Sequence, residues 1–146
     1  MLKTFLNFFS IILLSGCAIL EPKPYDSTLL EPSAIVKFSD IPVPAGFTLL
    51  PKSSYSFETT GTRVGMLKYQ GKATRDQLVA FYKGQMEMLN WNLLNIVEYG
   101  DCQLNFDRDA ETCVVTLSPK GSSFLITVTL GPKNQVVHKK VEKPLK

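Results

Sequence analysis

Thr74-Arg75-Asp76-Gln77-Leu78-Val79-Ala80-Phe81-Tyr82-Lys83-Gly84-Gln85-Met86-Glu87-Met88-Leu89-Asn90-Trp91 decides the fold class. Thr74 stands three residues before Gln77, the spacing at which a hydroxyl and an amide close each other's free backbone N–H groups at a helix start. Leu78, Phe81, Tyr82 and Leu89 then recur on one helical face. Asn90 tolerates the left-handed conformation that ends many helices, so the spacing predicts a helix that stops there. Gly84 inside that helix costs about 1 kcal/mol relative to alanine and is read as a place of close backbone approach.

On both sides of the helix the pattern changes to period two. Tyr55, Phe57 and Thr59 lead through Gly61 to Val64, Met66 and Lys68, with Leu67 and Tyr69 on the opposite side. After it come Trp91, Leu93, Asn95 and Val97, then Cys102, Leu104 and Phe106 past Gly100-Asp101. Cys113, Val115 and Leu117 follow, and Phe124, Ile126, Val128 and Leu130 close the series beyond Pro119-Lys120-Gly121. Turns this short join antiparallel neighbours. The expectation is an α+β domain over residues 46–132, a sheet of about six strands in the order ββαββββ packed on one main helix.

Length and charge bound the rest. A chain of 146 residues holds one such domain. The net charge is +3, and residues 133–146 carry five lysines against one acid, which leaves the remainder at −1. No basic stripe is interleaved with aromatics, so nucleic acid is not an expected partner. The basic tail is read as flexible, able to touch anionic headgroups or wall polymer.

Residues 18–45 contain five prolines, at 22, 24, 32, 42 and 44, and little periodicity, so 17–45 is read as a tether ahead of the domain. Before it, Lys3 precedes the apolar block Phe5, Leu6, Phe8, Phe9 and Ile11 to Leu14, too short to span a bilayer core of about 20 residues. A positive start, an apolar block and small residues at Ser15-Gly16 fit a signal peptide over 1–16.

Two resemblances follow from these residues. Leu14-Ser15-Gly16-Cys17 resembles the lipobox of bacterial lipoproteins. That likeness implies transfer of diacylglycerol to the Cys17 thiol, cleavage between Gly16 and Cys17, and acylation of the new amino terminus with chains such as palmitate. Ala18 stands where an aspartate would favour the inner membrane, so the implied address is the periplasmic side of the outer membrane. Phe81-Tyr82 with Met86 and Asn90-Trp91, preceded by Pro42-Val43-Pro44-Ala45-Gly46-Phe47, resembles the FYxxxMxxxGW and PxPxGF patterns of small bacterial envelope lipoproteins. Asn90 replaces the usual glycine. This second likeness implies a small α+β fold and supplies no catalytic residue.

Chemistry is sparse. His138, the single histidine, falls in the basic tail, away from any Ser/His/Asp arrangement in the fold. Asp101, Asp107, Asp109 and Glu111 lack the glycine and distal glutamate of an EF-hand loop, with Arg108 among them, so a solvated turn is expected and no metal or cofactor is assigned. Cys102 and Cys113 form an even pair for an exported chain. With a four-residue turn at 107–110 they lie diagonally, about 7–8 Å apart, which leaves both a disulfide after a register shift and two buried thiols open. The functional expectation is a non-catalytic envelope lipoprotein, held by its anchor and acting structurally or through an envelope protein partner. The alternative is a small ligand-binding module or enzyme acting on cell-wall polymer.

Overall fold

The computed structural model describes residues 29–34 and 36–133. Within them the chain forms β1 (Thr48–Leu49), a 3-10 turn (Pro51–Ser53), β2 (Tyr55–Glu58), β3 (Arg63–Gly71), α1 (Arg75–Met88), β4 (Asn92–Tyr99), β5 (Asp101–Arg108), β6 (Glu111–Lys120) and β7 (Ser123–Pro132). All pairings are antiparallel, in the order β1-β3-β7-β6-β5-β4 with β2 also on β3. The domain is therefore α+β, a sheet packed on one main helix. The seventh strand, absent from the sequence expectation, is the two-residue β1, which shares β3 with β2 and makes a broken edge.

The helix forms for the reasons its sequence gives. Thr74 Oγ1 accepts from the Gln77 N–H at 3.2 Å, and Gln77 Oε1 accepts from the Thr74 N–H at 2.9 Å. At the other end Asn90 adopts φ 63. The Asn90 N–H donates to the Glu87 carbonyl at 3.0 Å and the Trp91 N–H to the Met86 carbonyl at 2.9 Å, the paired bonds of a Schellman cap. Buried Trp91 and Met86 supply the apolar contact that accompanies such a cap.

Helix placement follows from the topology. Strands β3 and β4 are four places apart in the sheet, so α1 is the crossover between them. Arg75 at its start donates to the Gly100 carbonyl, and the Leu89 carbonyl at its end accepts from Arg108. These two contacts lie at opposite ends of β5. A 14-residue helix is about 21 Å long and an eight-residue strand about 26 Å, so α1 runs the length of the sheet but covers only part of its width.

The rest of that face is covered by residues that the sequence assigned to the tether. Phe38, Ile41, Val43 and the flanking Pro42 and Pro44 are buried. The domain thus begins before residue 46. Prolines fix an extended backbone without needing N–H partners, so the same residues that suggest a linker can also lay a rigid strap on a core. The strap doubles back on itself: Ser33 N–H donates to the Val43 carbonyl and Ala45 N–H to the Glu31 carbonyl, both at 2.7 Å.

The core sits between strap, helix and one sheet face. It gathers Leu78, Phe81, Tyr82 and Met86 from α1, Trp91, and the inward stripes Leu67, Tyr69; Cys102, Leu104, Phe106; Cys113, Val115, Leu117; Ile126, Val128, Leu130. The alternation predicted for β5, β6 and β7 holds. In β4 it does not, because an irregularity between Leu93 and Asn95 leaves Leu94 without a partner. Leu93 and Ile96 then face inward opposite Phe106 and Leu104, while Asn95 and Val97 turn to the other side. Tyr55 and Phe57 pair with Met66 and Val64, on the uncovered face, and are exposed. Gly71 has a packing role: a Cβ there would come within 2.6 Å of the Phe47 ring. Gly84 has none, since a Cβ would meet nothing within 4 Å, so the expected close approach at that position is withdrawn.

Candidate functional site

The inward stripes of three strands end in charge. Arg63 shares the face of Leu67 and Tyr69, Arg108 that of Leu104 and Phe106, and Glu111 that of Cys113 and Val115. Registers Arg108↔Glu111 and Glu111↔Pro132 bring them to one end of the covered face. The strap adds Asp40.

Arg63 is held as a double fork. Its Nη1 and Nη2 donate to Asp40 Oδ1 and Oδ2, each at 2.8 Å, and its Nε and Nη2 donate to Glu111 Oε1 and Oε2 at 2.9 and 2.5 Å. Arg108 donates to Asp40 Oδ2 and, at 3.2 Å, to the Leu89 carbonyl. The cations also lie over rings, Arg63 5.5 Å from the Phe38 centroid and Arg108 4.4 Å from that of Trp91. Trp91 Nε1 donates to the Asp40 carbonyl at 2.9 Å. Two guanidinium groups and two carboxylates thus balance, with side chains about one-fifth exposed.

The electrostatics follow. Arg63 beside Asp40 draws its carboxyl down to about 2, against the opposing pull of partial burial. Asp40 in turn pushes the Arg63 guanidinium well above its ordinary value, with Glu111 adding to it. A carboxylate this acidic, with both oxygens engaged by guanidinium donors, is a poor proton acceptor. The arrangement clasps the strap to the strands and to the helix end. It is built to hold.

The residues singled out in the sequence fall elsewhere. Gly16 and Cys17, with the signal segment, the first part of the tether and His138, lie outside the described residues. Cys102 and Cys113 are both free and buried. The β5–β6 turn is shorter than expected, with Asp109 at φ 49 and Ala110 alone between the strands, so Cys102 faces Leu117 and Cys113 faces Phe106. Four residues along a strand separate the two positions by about 13 Å, beyond the reach of a disulfide. Burial pushes the Cys113 thiol up to about 12.

The acidic hairpin is also not a free solvated turn. Glu111 belongs to the clasp and Asp107 pairs with Lys133, which holds its carboxyl below the ordinary value. Among the described residues no group of three or more His, Cys, Asp or Glu could hold a metal ion. Open hollows also lie among the described residues. One of about 320 Å³ between α1 and β4 is lined by Lys83, Glu87, Trp91, Asn92 and Leu93. Another of about 270 Å³ beside β2 is lined by Lys37, Leu49, Pro51, Ser54, Tyr55, Ser56 and Leu67. Neither touches the clasp residues.

Sequence reasoning missed the clasp because Asp40, Arg63 and Glu111 are 23 and 48 residues apart. The available signal was three charged residues, each continuing an apolar stripe at the correct parity. No protein-family model, no curated protein and no solved structure matches the chain.

Proposed function

We propose that the chain is a membrane-anchored lipoprotein of a bacterial envelope, with a non-catalytic structural or partner-binding role at the periplasmic side of the outer membrane. The observation that carries this reading is Leu14-Ser15-Gly16-Cys17 behind a short apolar block with a positive start. The likeness of Phe81-Tyr82, Met86 and Trp91 to the FYxxxMxxxGW pattern supports the same class. Among the described residues no helix is long and apolar enough to cross a membrane.

The physical logic is chain counting. Each buried CH₂ contributes about 0.8 kcal/mol, a single myristoyl chain binds reversibly, and several acyl chains on one cysteine hold durably. The charged site favours a holding role over a reacting one, since its carboxylates are engaged and Asp40 is strongly acidic.

Mass spectrometry of the chain extracted from membranes tests the reading. A diacylglycerol adduct on an N-terminal Cys17 is expected, and Cys17→Ala should remove the adduct and make the chain extractable from membranes by high salt. An unprocessed chain with residues 1–16 retained and no adduct would overturn it.

A further inference from the structure

The rim of the sheet made by the 3-10 turn and β2 combines features that the clasp and core do not use. Tyr55 and Phe57 are 57% and 62% exposed, large apolar rings left in water. They share the uncovered face with Met66, Val64 and, one step along β3, Lys68. Lys37 and Tyr55 line one hollow, and a second hollow of about 400 Å³ is lined by Leu50, Pro51, Lys52 and Ser53.

No acid lines either hollow. Glu58, the last residue of β2, pairs with Arg63 and so lies on the covered face. Exposed aromatics flanked by lysine stems are the composition that partitions into a headgroup layer, the rings at the acyl boundary and the ammonium groups among phosphates. With three lysines against one exposed carboxylate, Glu58 at the far end of β2, the rim is net positive and complementary in charge to an anionic surface.

We propose that this rim is a membrane-docking surface that seats Tyr55 and Phe57 in the interface of an anionic phospholipid leaflet, with Lys37, Lys52 and Lys68 against lipid phosphates. The proposal rests on the anchoring reading for its setting, because a lipid on Cys17 would keep the domain within reach of that leaflet. Docking would then fix which face the domain presents. The uncovered sheet face beyond β3, with Thr127, Thr129, Val114 and Thr116, and the open β4 edge would be left for other contacts.

Vesicle sedimentation of the chain from residue 17 onward, carrying Cys17→Ala, tests the surface without the lipid. All core residues lie between 38 and 130, so removal of the leader leaves them intact. Vesicles of phosphatidylcholine alone are compared with vesicles containing 30% phosphatidylglycerol. Binding at least tenfold stronger to the anionic vesicles is expected. Lys52→Gln and Lys68→Gln should each weaken it about fivefold, and Tyr55→Ser with Phe57→Ser should abolish it while the thermal midpoint stays within a few degrees.

Phe57→Trp gives a second readout. Its fluorescence should be quenched by brominated lipid, while buried Trp91 should not be. Equal binding to both vesicle types, or binding unchanged by the rim substitutions, overturns the proposal. So does binding that disappears on truncation after Lys133 but ignores the rim, which would assign it to the basic tail. A dimer in sedimentation that Phe57→Ser dissolves, without vesicle binding, would make the rim a contact between copies and would also overturn it. Because Cys17 is already replaced, failure here leaves the lipid adduct to be judged by mass spectrometry alone.

Discussion

Asp40→Asn is the most informative single substitution, because one carboxylate ties Arg63, Arg108 and the strap together. The Asp40 carboxyl falls from its ordinary 3.8 to about 2. At about 1.4 kcal/mol for each pH unit, that difference is a ceiling near 2.5 kcal/mol. Its side chain is 19% exposed, and solvent screening brings the expected contribution to about 1–1.5 kcal/mol. A group whose folded value is depressed stabilises above its unfolded value and loses that stability as pH falls toward the folded one. The wild-type advantage over Asp40→Asn should therefore be constant above about pH 5, shrink between about 4 and 2, and largely vanish below. Urea unfolding across pH 2–7, followed by the fluorescence of the single tryptophan, reads it directly. Trp91 is buried and hydrogen-bonded to the Asp40 carbonyl, so it reports the same corner. An advantage that stays flat down to pH 2, or none at neutral pH, would refute the electrostatic account of the clasp.

Three further outcomes are expected. Gly84→Ala, in an exposed helix interior with open space at the Cβ, should stabilise the domain by about 1 kcal/mol in denaturant unfolding. Tyr82 is fully buried and its hydroxyl has no hydrogen-bond partner among the described residues. Tyr82→Phe should thus raise stability by about 1 kcal/mol, and a loss of similar size would reveal a partner such as an ordered water. Cys102 and Cys113 should resist a thiol reagent at pH 8 in the folded chain and react together once it is unfolded; a non-reduced chain lighter by two hydrogens would contradict the free thiols.

How much of this could be read from the sequence depended on range. The helix was legible because each of its ends is set by near neighbours, Thr74 with Gln77 at the start and Asn90 after Glu87 at the stop, and β5 to β7 because alternation is a local pattern. Face assignment failed in β4, where an extra residue at Leu94 reverses parity for everything after it. It failed again at the strap, where Pro42 and Pro44 read equally as linker and as rigid packing. The disulfide geometry turned on the length of one turn, two residues instead of four. The clasp depended on tertiary adjacency, and its only local trace was charge at the ends of apolar stripes.

Routing the chain's entry through the strap has a mechanical consequence. Tension applied ahead of residue 29 meets the Glu31–Ala45 and Ser33–Val43 backbone bonds first, and these can peel one at a time. Any further travel must pull buried Phe38 from the core and drag Asp40 off two guanidinium groups. A brief tug would thus strain bonds that re-form on release, while the barrier to tearing the core open is set where Phe38 and Asp40 are seated.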